Sequence, residues 1–183
     1  MEMTNEIKIG DYAFKGGKFS ADPKAYPNCQ GVVAWLNPDP NAPIGERGLI
    51  LMPDSVLSLW ADEYCKTGIC DEDDGKSNTK NLVDYCRKHG VRFPAVRWCY
   101  LYSQNGVKPG EGFLPAPSQL KRIVANRDII NPALKKIGGK ILKGRIWSSC
   151  DWISGYAWMV AIDGTDGSGR KDGKGYVRCV IAI

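Results

Sequence analysis

A glycine-rich segment near the C-terminus constrains this chain more than any other feature. Residues 163–175 (DGTDGSGRKDGKG) contain five glycines in 13 residues, and they separate two apolar segments with strand-like alternation. A segment with so few apolar side chains cannot pack a core, so a long exposed loop is predicted. In the strand before it, three side chains are predicted to point inward (Trp158, Val160 and Ile162) and three outward (Met159, Ala161 and Asp163).

The rest of the chain mixes strand-like and helix-like segments. There is no internal repeat and no linker, so one α+β domain over residues 1–183 is predicted. Apolar periodicity and turn residues predict, in chain order, a hairpin within residues 1–20, strands at 31–36 and 49–52, helices over 79–89, 119–125 and 128–137, and strands at 146–148, 156–162 and 176–183. Residues 93–101 are predicted to be ordered, without a preference for helix or strand.

Charge and composition narrow the functional classes. The 183 residues carry 25 basic and 20 acidic side chains, a net charge of +5, which does not predict a nucleic-acid partner. No apolar stretch approaches the length of about 18 residues that a membrane span needs, so no membrane insertion is predicted. The N-terminus lacks the apolar core of a signal peptide, and the localisation is therefore unknown from sequence.

The seven cysteines leave at least one thiol unpaired within the chain. Free buried thiols are expected in a chain with a sizeable core, with one or two disulfides as the alternative.

Residue patterns of catalysis and metal binding are absent. The single histidine, His89, falls at a predicted helix C-terminus, where a cation suits the helix dipole. Cysteine spacing does not fit zinc, and the glycine-rich segment fits neither a P-loop nor a dinucleotide motif. Neither an enzyme nor a cofactor nor a metal site is predicted. Whether a calcium ion sits in the glycine-rich segment stays open, since Asp163, Asp166 and Asp172 lie there.

Two aromatic residues stand out in the polar segment that precedes the glycines. Trp152 and Tyr156 are expected to be exposed, and exposed aromatics are the residues most often found as binding anchors. The alternative is that Trp152 folds back onto the core.

Several motifs together resemble bacterial and phage C-type-lectin-like domains. Residues 112–120 (GFLPAPSQL) are similar to the family's G-[WF]-x-L-P-[ST]-x-x-E-L stretch, and residues 126–139 to its N-[KR]-D-x-I-N-x-A-L…GG segment. Its W-S-S, A-W and V-R-x-V-x-A landmarks match residues 147–149, 157–158 and 177–182. Two positions depart from the pattern, Ala116 and Gln119, and the calcium signatures E-P-N and W-N-D are absent, so calcium-dependent sugar binding is not implied.

The resemblance implies a C-type-lectin-like fold of antiparallel strands, two or three short helices and a long C-terminal glycine-rich loop. One branch of the family, the variable proteins of diversity-generating retroelements, varies its last segment, which corresponds to residues 146–183 here. Its frame would be Trp147, Ser148, Ser149, Ala157, Trp158, Val177 and Arg178. Its ligand-binding face would be Cys150, Trp152, Ile153, Gly155, Tyr156, Met159, Asp163, Thr165, Asp166, Ser168, Arg170, Asp172, Lys174 and Tyr176.

The resemblance therefore implies a receptor- or adhesin-type protein on a cell surface or virion. Its partner would be a protein or glycan on a cell surface, and the oligomeric state stays open. Two alternatives remain: a surface or tail-fibre domain of fixed specificity, and an enzyme similar to formylglycine-generating enzymes. The enzyme would need a reactive cysteine pair, for which Cys150 and Cys179 are the candidates.

Overall fold

A computed structural model describes residues 6–183 of the protein. The first five residues of the predicted hairpin region, 1–20, lie outside the described residues. Within the described part, eight strands form one sheet: β1 (Tyr12–Phe14), β2 (Lys18–Ser20), β3 (Cys29–Leu36), β4 (Gly48–Ser58), β5 (Arg145–Ile153), β6 (Tyr156–Ala161), β7 (Asp166–Arg170) and β8 (Gly175–Ala182).

The sheet has the strand order β2-β1-β3-β4-β8-β5-β6-β7. Neighbouring strands are antiparallel except β5 and β8, which pair in parallel where Ile146 lies opposite Tyr176. Strands β1 and β2 form a tight hairpin whose turn contains Gly16 and Gly17, both with positive φ. That backbone conformation is one that glycine adopts without steric cost. The order places β6 and β7 at one end of the sheet.

Four helices occur in the described residues, one more than the two or three expected. The extra helix comes from the segment 93–101, for which the sequence showed no preference. The first helix begins after Asp74, whose carboxylate accepts the backbone N–H of Ser77 at 2.9 Å, and it ends at Gly90 in the left-handed conformation. The helices are α1 (Gly75–His89), α2 (Pro94–Tyr100), α3 (Pro117–Ala125) and α4 (Arg127–Lys136).

The helices cover both faces of the sheet and make two hydrophobic cores. Helices α1 and α2 pack with Trp147, Met159 and Val177 on one face. Helices α3 and α4 pack with Ile146, Val160 and other strand residues on the opposite face. The protein is therefore an α+β structure, as predicted, with a sheet that is apolar on both sides.

Burial on both faces corrects the predicted orientation of one strand. Met159 was expected to point outward, yet it is 5% exposed, while its neighbour Val160 is fully buried. Successive side chains of a strand point to opposite faces, so both can be buried only where helices or loops cover both sides. The alternation in the sequence was read as one buried and one solvated face, and that interpretation was wrong.

The glycine-rich segment is not a single long loop. Its residues 166–170 form β7, which pairs with β6 from Tyr156–Arg170 to Val160–Asp166. A Cβ atom at Gly169 would lie 2.6 Å from the sulfur of Met159 and 2.7 Å from the ring of Trp147. Because Gly169 has no side chain, the backbone of β7 lies directly on the buried indole of Trp147. At this point the core packs against main-chain atoms of β7 and not against side chains.

Candidate ligand-binding surface

An exposed aromatic patch lies at the turn between β5 and β6. We define the aromatic patch as Trp152, Ile153 and Tyr156, which are 45%, 42% and 39% exposed. Trp152 stacks at a tilt on the half-buried Trp158, with ring centroids 5.2 Å apart. It meets Tyr156 edge-on at 6.2 Å. The alternative in which Trp152 folds back into the core is therefore wrong, because the indole lies on the surface and packs against other aromatic rings.

A hydrogen-bonded triad borders the aromatic patch. The hydroxyl of Tyr64 donates to Asp172 Oδ2 at 2.8 Å, and Arg170 Nη2 donates to the same carboxylate oxygen at 2.8 Å and to the Tyr64 hydroxyl at 2.6 Å. The guanidinium of Arg170 lowers the pKa of the Asp172 carboxyl, since it stabilises the charged form. The triad abuts the patch through Gly155, whose Cβ position would lie 3.8 Å from the Tyr64 ring.

Sequence reasoning missed Tyr64. It is 57% exposed and lies in the loop between β4 and α1, about a hundred residues from its partners in the chain. A lone tyrosine in a polar segment does not indicate hydrogen bonds to Arg170 and Asp172, because only the folded chain brings this loop beside β7.

A buried ion pair lies beneath this surface. Lys171 Nζ is 2.5 Å from Asp151 Oδ1, and the two side chains are 0% and 2% exposed. The ammonium also donates to the carbonyl of Cys65 and lies 4.9 Å from the ring centroid of Trp60. A buried charge is tolerated only where partners replace its lost hydration, and Lys171 has three.

The other oxygen of Asp151 holds the loop that carries Tyr64. It accepts the backbone N–H of Thr67 at 2.5 Å, the Thr67 hydroxyl at 2.9 Å and the N–H of Gly68 at 3.1 Å. The adjacent residue of β5, Cys150, forms a disulfide with Cys70. Residues 60–70 are thus fixed to β5 by an ion-pair network and a covalent bond, although they form no helix or strand.

The predicted ligand-binding residues differ in exposure. Nine are exposed: Trp152, Ile153, Tyr156, Asp163, Thr165, Asp166, Arg170, Asp172 and Lys174. Three are half-buried: Gly155, Ser168 and Tyr176. The remaining two, Cys150 and Met159, are buried.

Cys150 and Met159 are corrections to the predicted face. Cys150 is fully buried and disulfide-bonded to Cys70, so it cannot contact a ligand through its thiol. The sulfur of Met159 fills the space that a Cβ at Gly169 of β7 would occupy, and its methyl group fills the corresponding space at Gly175 of β8. Both residues support the surface from below.

The exposed residues do not form one continuous face. Tyr156 and Arg170 are paired at one end of β6 and β7, whereas Asp166 is paired with Val160 at the other end. The two ends are four residue steps apart along the strand, roughly 14 Å. At the far end Asp166 pairs with Lys121 of α3 at 2.7 Å.

Two other predicted ligand-binding residues at the far end, Asp163 and Thr165, form a local turn. Asp163 Oδ1 accepts the N–H and hydroxyl of Thr165 at 2.9 and 2.7 Å, which lowers the pKa of the Asp163 carboxyl. The predicted set therefore splits into an aromatic end and an acidic end.

The predicted frame residues lie in the interior. Trp147, Ser148, Ser149, Ala157, Val177 and Arg178 are buried, and Trp158 is half-buried. Within residues 6–183 no three His, Cys, Asp or Glu side chains are placed to share a metal ion. No helix in that range is long and apolar enough to cross a membrane.

The sequence matches no family model, and no curated protein matches it. Among solved structures, a fimbrial protein from Bacteroides ovatus has a similar fold, with a TM-score of 0.76 and 16% sequence identity. The match covers 97% of this chain and 49% of the fimbrial protein. The chain thus spans about half the length of that structure, and the likeness is one of fold.

Proposed function

We propose that this chain is a receptor- or adhesin-type binding module that contacts its ligand through the aromatic patch and the adjoining Tyr64–Arg170–Asp172 triad. The observation that carries the proposal is the exposed Trp152–Tyr156 pair on a turn whose neighbouring loop is held from beneath by a disulfide and a buried ion pair. Rigid aromatic side chains supply contact area at small entropic cost. The arrangement thus combines exposed anchors with a preorganised backbone.

The expected partner is a protein or glycan on a cell surface. The fimbrial protein with the similar fold supports a surface location for this chain. The motif pattern described above supports a C-type-lectin-like scaffold and membership of the retroelement-diversified branch. A non-enzymatic role is part of the proposal, and it is supported by Cys150, whose disulfide with Cys70 removes one thiol of the cysteine pair that the enzyme alternative needs.

A paired binding experiment tests the aromatic patch. Fluorescently labelled protein is screened against a glycan array and a panel of bacterial cell surfaces, and any hit is repeated with Trp152→Ala/Tyr156→Ala. Anchor residues cost about 2 kcal/mol or more each when truncated, so the double variant should bind at least about thirtyfold more weakly. Both side chains are substantially exposed, so the thermal midpoint should change little.

Tyr26→Ala is the matched control, since Tyr26 is 40% exposed and lies just before β3, outside the patch. It should bind like the wild type. Undiminished binding by the double variant to a ligand that the wild type recognises would place the binding surface elsewhere. A large loss of stability would instead assign these residues to the core.

A surface domain of fixed specificity is the second candidate, favoured by the extensive match to half of a fimbrial protein. Sequencing the DNA beside the gene separates the two. A reverse-transcriptase frame and a near-copy of codons 146–183 that differs mainly at adenines would support diversification. Identical codons at the exposed positions in sibling loci would support fixed specificity.

A further inference from the structure

A continuous basic segment runs from the end of α4 to the start of β5. No acidic residue occurs between Asp128 and Asp151. Five basic side chains in this interval are exposed, and none of them forms an ion pair within the described residues: Lys135, Lys136, Lys140, Lys143 and Arg145. Their summed charge equals the net charge of the whole chain, +5. The positive excess is therefore concentrated here.

This basic segment forms one side of a groove of about 850 Å³. Ile137 and Gly138 line that side, and Lys136 and Lys140 flank them along the chain. Arg97 and Trp98 of α2 also line the groove. Residues 53–56 of β4 also line the groove, where the pairing of β4 with β8 shifts register between Leu51 and Ser55.

The groove contains fixed polar groups as well as charge. Asp54 Oδ2 accepts a hydrogen bond from the buried hydroxyl of Tyr102 at 2.5 Å, which orients the carboxylate. Trp98 packs edge-on against Tyr102, with ring centroids 5.6 Å apart, and is half-buried. The amides of Gln104 and Asn105 are exposed along the same wall. The site thus offers an oriented acceptor, amide groups and an aromatic ring together with Arg97 in the lining and Lys136 and Lys140 beside it in the chain.

We propose that this groove is a second binding site, for an acidic polysaccharide. The cations attract its carboxylate or sulfate groups, while Asp54 and the two amides hydrogen-bond to its hydroxyl groups. The ring of Trp98 contacts the apolar C–H face of a sugar. A single-stranded nucleic acid fits less well, because the lining offers only the half-buried ring of Trp98 rather than several exposed rings on which successive bases stack. The groove contains none of the aromatic-patch residues, so the test of one site does not affect the conclusion about the other.

Charge-reversal variants of equal net charge test the groove. Wild-type protein is titrated with heparin and with neutral dextran at about 50 mM salt, and the titration is repeated at higher salt. The groove variant is Lys135→Glu/Lys136→Glu/Lys140→Glu/Lys143→Glu. The matched control reverses four exposed lysines elsewhere: Lys24, Lys66, Lys80 and Lys88. Both variants change the total charge of the protein equally, so a difference in their affinity for heparin shows that the position of the lysines matters.

The expected result is heparin binding that weakens as salt rises, with no binding to dextran. The groove variant should bind heparin at least about tenfold more weakly, since one basic side chain near an anionic surface contributes about 1 kcal/mol. The control should lose less than about threefold. Arg97→Gln is a milder variant that removes the one cation of the groove lining, and it should also weaken binding without affecting folding.

Three results would overturn the proposal. One is the absence of heparin binding by the wild type at low salt. Another is an equal loss in the groove and control variants, which would assign the binding to net charge alone. The third is tighter binding to single-stranded DNA than to heparin, which would assign the groove to a nucleic acid. If the groove variant does not fold, Arg97→Gln replaces it as the test: weaker heparin binding supports the proposal, and unchanged binding overturns it.

Discussion

The two turns at opposite ends of β6 differ in how they are supported. The β5–β6 turn carries the aromatic patch, and the loop beside it is held by the Cys70–Cys150 disulfide and the buried Lys171–Asp151 pair. The β6–β7 turn carries Asp163 and Thr165, which hydrogen-bond to each other. The comparison teaches that the aromatic end is held by buried long-range supports, whereas the acidic end has a local turn and one exposed ion pair, between Asp166 and Lys121.

The largest expected effect is on the ion pair beneath the aromatic end. Lys171→Met leaves Asp151 as an unpaired buried carboxylate, which should lower the free energy of unfolding by roughly 3–5 kcal/mol. Denaturant unfolding at neutral pH measures the change. Adding Asp151→Asn to Lys171→Met should recover part of the loss, because no buried charge then remains and the amide oxygen still accepts the hydrogen bonds from Thr67 and Gly68.

The neighbouring exposed lysine provides the control for this experiment. Lys174→Met should change the free energy of unfolding by no more than about 0.5 kcal/mol, as surface substitutions usually do. A loss below about 1 kcal/mol for Lys171→Met would show that the ion pair is not a main support of the aromatic end, contrary to the comparison.

The disulfide is the second support of the aromatic end. Cys70→Ser/Cys150→Ser should lower the free energy of unfolding by about 2–4 kcal/mol, because the bond constrains an 80-residue separation in the unfolded chain. Reducing agent should destabilise the wild type by a similar amount and leave the double variant unchanged. If reduction has no effect on the wild type, the disulfide does not contribute to this support.

The smallest effect distinguishes the two carboxylates of the two turns. The pKa of Asp172 is lowered by Arg170, and the pKa of Asp163 is lowered by its hydrogen bonds from Thr165. Arg170→Gln should therefore raise the pKa of Asp172 toward its ordinary value and leave that of Asp163 unchanged. Titration of the side-chain carboxyl carbons by NMR measures both groups in one sample.

The sign of the pH dependence follows from the direction of the shift. Because the folded-state pKa of Asp172 is depressed, the favourable interaction with Arg170 is present at neutral pH and is lost as the pH falls through that pKa. In Arg170→Gln this acid-sensitive contribution should disappear. An unchanged Asp172 pKa in the variant would mean that the triad seen in the structure does not persist in solution.

Local patterns in the sequence identified most of the regular elements. The α+β class, the helices at 117–125 and 127–136 and the strands β6 and β8 were predicted to within a few residues, because apolar spacing and turn residues act over short distances. Strand β5 was predicted to end at residue 148 but continues to Ile153, and β7 was predicted as loop. The first helix was predicted to begin at Thr79. It begins four residues earlier, because Asp74 supplies the cap.

Exposure could be predicted only where it depends on local polarity. Trp152 and Tyr156 were predicted to be exposed because polar residues and a turn surround them, and the structure places both on the surface. Met159 was misplaced because its burial depends on helices that cover the second face of the sheet. Cys150 was misplaced because its partner, Cys70, lies 80 residues away.

The glycine-rich segment shows most clearly what tertiary structure alone decided. Its composition indicated correctly that it adds few apolar side chains to a core. The sequence did not show that Gly169 and Gly175 leave room for Trp147 and Met159, or that Lys171 would be fully buried. These outcomes depend on contacts between residues far apart in the chain. The local sequence determines which backbone shapes a segment can adopt, and long-range packing determines which of its residues are buried.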